Sequence, residues 1–324
     1  MRRHRWLMLL MLLVASLALA ACGNDDDDGG GEGAAATQEE SGGIQRDEAN
    51  AGTTITVGSK NFTEQKVLGE IYAQAFEAAG YTVEKQLNLG DEKTALKALE
   101  GGDIDAYPEY TGTALLSFFG VQADKLPNDE GQAYEQAREG FAEKNLTAFE
   151  PTPFTSSNEV AVTKETAEED SLRAISDLSS VDDQFTLYGS PECRQRLDCL
   201  LGLQEVYGLD FKRFVPVDIA LRHEVLTKGQ ADVSIVFTTD PQIQREEFVL
   251  LEDDKGMFPP YNPTLVMRNE IAEKGGAGLE EIVAQVNKGL TDGAMQELNA
   301  RVDLDKKTPE EVGGEYLSET GLVQ

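Results

Sequence analysis

The sequence predicts an α/β chain of two lobes, each a mostly parallel sheet flanked by helices. Three observations predict it. A β-α-β-α-β order runs through residues 53–110, the same order recurs after residue 185, and the two copies carry matching punctuation.

In the first copy, TTITV alternates and is rich in β-branched residues, which reads as a strand. GSKNFT follows as a loop, and EQKVLGEIYAQAFEAAG has apolar positions at helical spacing. Asn61 followed by Glu64 fits a capping box at that helix start. YTVEKQLNL is the next strand, KTALKALEGG the next helix, and DIDAYPEY the closing strand. In the second copy FTLYGS is a strand and turn, the segment through EVYG is helical, and LDFKRFVPV is extended. ALRHEVLTKG is then a helix and ADVSIVFTTD a strand.

The punctuation agrees. Gly58-Ser59 answers to Gly189-Ser190, and Gly80 to Gly208. Leu99, Gly102, Asp105, Tyr110 and Thr111 recur at the same spacing as Leu226, Gly229, Asp232, Phe237 and Thr238. In open α/β sheets ligands collect beyond the carboxyl ends of the strands, where Tyr110 and Phe237 lie. Two outcomes stay open from spacing alone: the rings face each other across a cleft, or each plugs the top of its lobe as core.

The ends of the chain read differently. Residues 1–22 pair three arginines with an apolar run that closes on LAAC, a secretory leader followed by a lipobox. The run is too short and too one-sidedly flanked for a membrane span, so cleavage before Cys22 and acylation of its thiol are expected. Residues 23–52 hold almost no apolar side chains and read as a disordered acidic tether. Their DDDD run lacks the alternating ligands and closing glutamate of a calcium loop.

Loss of the three leader arginines leaves 25 basic residues against 59 acidic ones, a net charge of −34. That charge excludes nucleic acid as a natural partner and repels anionic lipid surfaces. Cys193 and Cys199 lie on the oxidising side of the membrane, where a disulfide is the simplest outcome. A metal site needs more ligands than the single remaining histidine, His223, can complete. A redox pair usually has the tighter C-x-x-C spacing.

Nothing in the chain points to catalysis. It has no G-x-S-x-G, no phosphate loop, no HExxH and no dinucleotide fingerprint, and no cofactor is expected. His223 sits on a presumed surface helix and reads as solvated or capping. The sequons NFT and NLT are coincidental in a chain with a bacterial lipobox.

GSKNFTEQKVLGEIYAQAFEAAGY, DIDAYPEYTGT, PECRQRLD with GLQEVYGLDF, VFTTD and DDKGMFPPYNP resemble, in order, the signature segments of one family. It is that of the substrate-binding proteins of glycine betaine, choline and carnitine ABC importers, and the similarity spans residues 53–324. The resemblance implies the type II periplasmic-binding-protein fold, two α/β lobes joined by a hinge. On that reading lobe one is 53–153 with 262–324 and lobe two is 154–261. It further implies a monomer on the outer face of the cytoplasmic membrane, held by its lipid anchor, that hands a betaine-like solute to a permease and its ATPase.

The resemblance also implies a site. Tyr110 and Tyr261 look like walls of an aromatic cage for a trimethylammonium head, and Phe237 stands where tyrosine is usual. The fourth ring is absent, with Asn158 or a neighbour in its place. Lys60 and Arg196 match the residues that grip a betaine carboxylate, and Gln65 matches a further polar contact. Thr113 stands where aspartate would suit a purely cationic ligand. Cys193 and Cys199 replace an aromatic residue and a glycine and bracket Arg196. Two rival readings remain: a binding protein of this fold for another small zwitterion or amino acid, or an exported sensor or enzyme on the same scaffold.

Overall fold

The computed structural model describes residues 42–122 and 125–324. The leader, Cys22 and most of the tether lie outside them. Residues 43–52, read above as the end of the tether, instead lie against the body of the protein. Ile44 donates its N–H to the Leu322 carbonyl (2.8 Å) and joins the core around helices Thr63–Ala78 and Pro309–Glu319. The Asp47 N–H bonds the Ala79 carbonyl, and a short 3-10 turn, Glu48–Gly52, leads into the first strand. One isoleucine, these two backbone bonds and the Asn50 amide, which donates to the Ala79 carbonyl at 2.9 Å, dock a segment that composition alone reads as polar.

Two five-stranded mixed sheets form the frame. The first has the order β2-β1-β3-β10-β4, with β1 Thr54–Gly58, β2 Thr82–Gln86, β3 Ala106–Tyr110, β4 Leu146–Ala148 and β10 Pro263–Arg268. The second has the order β7-β6-β8-β5-β9, with β5 Asn158–Val162, β6 Thr186–Gly189, β7 Arg213–Pro216, β8 Val233–Phe237 and β9 Val249–Leu250. In each sheet three parallel strands come from one sequence copy, and an antiparallel strand joins their edge: β10 against β3, and β5 against β8.

The repeat has a structural cause. Asp105 accepts the Thr56 N–H at 2.9 Å and donates its own N–H to the Thr56 carbonyl. Asp232 makes the same two bonds with Thr186. Each aspartate thus fixes the last strand of its copy beside the first. Gly102 and Gly229, three residues earlier, have φ of 77° and 63°, a left-handed turn that a side chain would strain. Leu99 and Leu226 are buried beneath them.

Alternation along the strands sends side chains to two cores per sheet. Leu265 and Met267 enter one core of the first sheet and Val266 the other. Val160, Val162, Val233 and Ile235 enter one core of the second, and Ala161 and Val236 the other. Two local readings need correction. Helix Thr63–Ala78 begins at Phe62 with no side-chain cap, because Glu64 turns inward instead of reaching back to Asn61. The segment through EVYG is broken into a 3-10 turn, Pro191–Gln195, and a helix, Leu200–Glu205. Between them Arg196 is extended, with φ −99° and ψ 131°, and its side chain is drawn to Asp198.

Glu159 on β5 is largely buried, and that burial, with the nearby charge of Asp253, pushes its carboxyl up to about 7. The folded state therefore prefers the protonated form. Its contribution is full below the ordinary glutamate pKa and is lost as pH rises through about 7. Glu159→Gln is expected to match the parent at pH 4 and to exceed it at pH 8 by about 2 kcal/mol after allowance for partial solvent screening. Urea unfolding at the two pH values checks this; equal stability differences at both would contradict it.

Candidate functional site

The chain passes between the sheets twice, through residues 149–157 and 251–262. Between the sheets lies a cleft of about 750 Å³ counted out to its mouth. Lys60, Tyr110, Thr113, Asn158, Arg196, Phe237 and Tyr261 all line it, together with Phe62, Glu92 and Arg222. Gln65 does not. It is buried behind the wall, its Oε1 accepts the Lys60 N–H at 3.2 Å, and its Nε2 has no hydrogen-bond partner among the described residues.

Tyr110 and Phe237 do not face each other directly, because Phe62 has a place between them. Its ring stacks on Tyr110 at 6.2 Å and meets Phe237 at 5.3 Å. The residue that precedes the helix thus supplies an aromatic surface that the sequence reading missed, having given Phe62 no role within GSKNFT. Gly112 explains the glycine of YTGT. A Cβ there would lie 2.7 Å from the Tyr261 ring and 2.8 Å from the Pro260 carbonyl. The Thr111 hydroxyl bonds that same carbonyl at 3.0 Å. The strand therefore ends in a threonine and a glycine because the second crossing segment packs directly on it.

The basic groups have partners of their own. Lys60 is buried and ion-paired with Glu109, while its Nζ lies 4.5 Å from the Tyr110 ring centroid. Glu109 also accepts the Tyr107 hydroxyl at 3.0 Å and the Tyr110 N–H at 2.7 Å. Arg196 is held by two bonds to Asp198 and lies 3.3 Å from Glu92 Oε2 in the other lobe. The second Glu92 oxygen is buried without a hydrogen-bond partner among the described residues.

Asp198 is the centre of this cluster. It is fully buried and accepts from Arg196, from Asn158 Nδ2 at 3.0 Å and from the Tyr261 hydroxyl at 2.5 Å. Burial works against its charge, but the Arg196 guanidinium and the Tyr261 hydroxyl outweigh it and hold the carboxyl below the usual aspartate range. Asn158 lines the cleft, and its amide orients Asp198.

A second cluster lies behind Phe237. Arg222 makes two bonds to Asp240 and lies 4.3 Å from the Phe237 ring centroid. Asp240 also accepts the Phe237 N–H at 2.8 Å, and His223 Nε2 lies 2.7 Å from it. His223 is buried, not solvated, because this carboxylate draws it inward. Sequence reasoning missed Asp198, Arg222 and Asp240, whose roles depend on partners brought close only by folding.

Cys193 and Cys199 form the disulfide. Both sulfurs pack in the core of the second sheet, so the loop carrying Arg196 is pinned at each end. Reduction is expected to lower the unfolding free energy by about 2 kcal/mol, the chain-entropy value for so short a loop. Affinity for the solute held in the cleft should fall further, by more than the roughly 30-fold that 2 kcal/mol represents. Denaturant titration and calorimetry with and without reductant measure both losses; equal losses would count against a loop that serves the site.

Residues 53–319 match the profile of the substrate-binding domain of ABC-type glycine betaine transport systems. The chain is similar to the glycine-betaine-binding protein of Pseudomonas aeruginosa, 32% identical over 281 residues, covering 83% of this chain and 89% of that one. It is similar to the ergothioneine transport permease/ergothioneine binding protein EgtU of Helicobacter pylori, 30% identical over 83% of this chain and 48% of that longer one. A solved glycine betaine/carnitine/choline ABC transporter structure superposes with a TM-score of 0.66 at 26% identity, covering 83% of this chain and 99% of that one. The chain belongs to the family of substrate-binding domains of ABC-type glycine betaine transport systems, and is a binding protein rather than an enzyme.

Proposed function

We propose that the protein captures glycine betaine or a closely related betaine between its lobes and delivers it to an ABC permease, tethered to the outer face of the membrane through an acylated Cys22. One observation carries this reading: a single cleft combines four aromatic side chains, Phe62, Tyr110, Phe237 and Tyr261, with the paired cations Lys60 and Arg196.

A quaternary ammonium has no N–H to donate, so ring faces must hold it, at about 0.5–2 kcal/mol each. Micromolar affinity needs roughly 8 kcal/mol, which four such faces reach only at the very top of that range. A carboxylate adds about 1.5–3 kcal/mol for each charge-assisted bond. Glu109 engages one of the three Lys60 ammonium donors, and Asp198 with Glu92 engages part of the Arg196 fork. Donors remain on both side chains for a solute carboxylate. Glu109 and Asp198 set the two cations in place, and the 3.3 Å Glu92 contact is the one such a carboxylate most readily replaces. Thr113 adds no negative charge to the wall, which favours a zwitterion over choline.

A second reading has its own support. The unpartnered Glu92 oxygen would suit a larger zwitterion bearing a hydrogen-bond donor, in keeping with the ergothioneine-binding relative. Calorimetric titration with glycine betaine, proline betaine, carnitine, choline and ergothioneine separates the two. Micromolar binding of the simple betaines supports the first reading, binding of ergothioneine alone supports the second, and binding of none of the five overturns both.

A further inference from the structure

Glu64, in the first turn of helix Thr63–Ala78, is a buried carboxylate outside the cage and the carboxylate grip. Its Oε1 accepts the Tyr110 hydroxyl at 2.7 Å. Its Oε2 accepts the Thr239 hydroxyl at 2.5 Å and Asn299 Nδ2 at 3.0 Å. Burial raises its pKa, and the bonds from Thr239, Tyr110, Asn299 and Ser156 offset that rise only in part, so its charge is held at a cost. No lysine or arginine is among its hydrogen-bond partners in the described residues. A buried carboxylate without a cation is costly, and a solvated residue would start the helix equally well.

The three donors come from different parts of the fold. Tyr110 ends β3 of the first sheet, and Thr239 lies two residues beyond β8 of the second. Asn299 is on helix Asp292–Asp303, packed in the first sheet's core, and it also donates to the Thr239 carbonyl at 3.2 Å. Ser156, on the first crossing segment, shares a hydrogen bond with the Thr239 hydroxyl at 3.0 Å. Phe237 precedes Thr239 by two residues.

We propose that Glu64 is a positioning residue that ties Tyr110 of one lobe to the Phe237 end of the other, so that the ring surfaces come together only when the lobes close. Opening the lobes breaks the Glu64–Thr239 bond and returns the carboxylate to water, where its charge costs little. Closing them fixes the Tyr110 hydroxyl and the end of β8 on one carboxylate. The inference rests on the reading that these rings face the solute.

The test uses the chain from residue 42 onward, the described body, in three variants. Tyr110→Phe keeps the ring and loses the hydroxyl, Thr239→Val removes the bond between lobes, and Glu64→Gln keeps the shape while losing the charge. Tyr110→Phe and Thr239→Val are each expected to weaken glycine betaine binding at least about tenfold. In a Glu64→Gln background their further effect should fall below about twofold, because the shared partner is already altered. The ligand-free Thr239→Val chain should give a larger radius of gyration by small-angle X-ray scattering. Full effects persisting in Glu64→Gln, or an unchanged scattering curve, would overturn the proposal. If the parent binds no betaine, the functional reading fails, while the scattering comparison still decides the role of Glu64. If Glu64→Gln does not fold, the two single variants and their scattering carry the decision.

Discussion

Arg196→Ala is expected to abolish betaine binding and to lower the unfolding free energy by about 3–5 kcal/mol, the cost of removing one partner from a buried ion pair. Asp198 would remain fully buried with only the Asn158 amide and the Tyr261 hydroxyl to satisfy it. The pH dependence gives a second signature. In the parent the depressed Asp198 carboxyl stabilises the fold above the usual aspartate range, and this is lost as pH falls through its folded value. Without Arg196 burial dominates and the carboxyl rises instead, so the deficit should be largest near neutral pH and should shrink below about pH 4. Denaturant unfolding across that range reads the effect; a deficit independent of pH would mean that Arg196 acts through packing alone.

Tyr110→Ala should weaken betaine binding by about 30-fold to several thousandfold. It removes a ring face worth roughly 0.5–2 kcal/mol and a charge-assisted bond to Glu64 worth about 1.5–3 kcal/mol. It also leaves the Lys60 ammonium without the ring 4.5 Å away. Tyr110→Phe retains the ring and should recover most of the first contribution and none of the second. Titration of both variants with glycine betaine makes the comparison; equal losses would place the whole effect in the hydroxyl.

Much of the architecture was legible because it repeats. The aspartates at 105 and 232, the left-handed glycines at 102 and 229 and the leucines at 99 and 226 recur at fixed spacing because each lobe closes its sheet in the same way. The antiparallel strands β5 and β10 were harder to read, since they belong to neither copy and join their sheets through residues distant in sequence. Site positions carried on a signature segment, such as Lys60, Tyr110, Arg196 and Tyr261, could be proposed from sequence and line one cleft. Their partners could not. Asp198 and Asp240 end the segments PECRQRLD and VFTTD, but in a chain with 59 acidic residues nothing local marks either as a buried partner, and only folding brings an arginine, an amide or a tyrosine hydroxyl to them. Glu64 shows the limit most clearly: local spacing favoured a helix cap, and three contacts of long sequence separation overrode it.

The most direct test is a crystal structure of the chain soaked or grown with glycine betaine. The trimethylammonium head should lie among the rings of Phe62, Tyr110, Phe237 and Tyr261, with the carboxylate on Arg196 and Lys60 and Glu92 displaced from the guanidinium. A head group outside the rings, or an Arg196 that keeps Glu92 while the carboxylate binds elsewhere, would contradict the account.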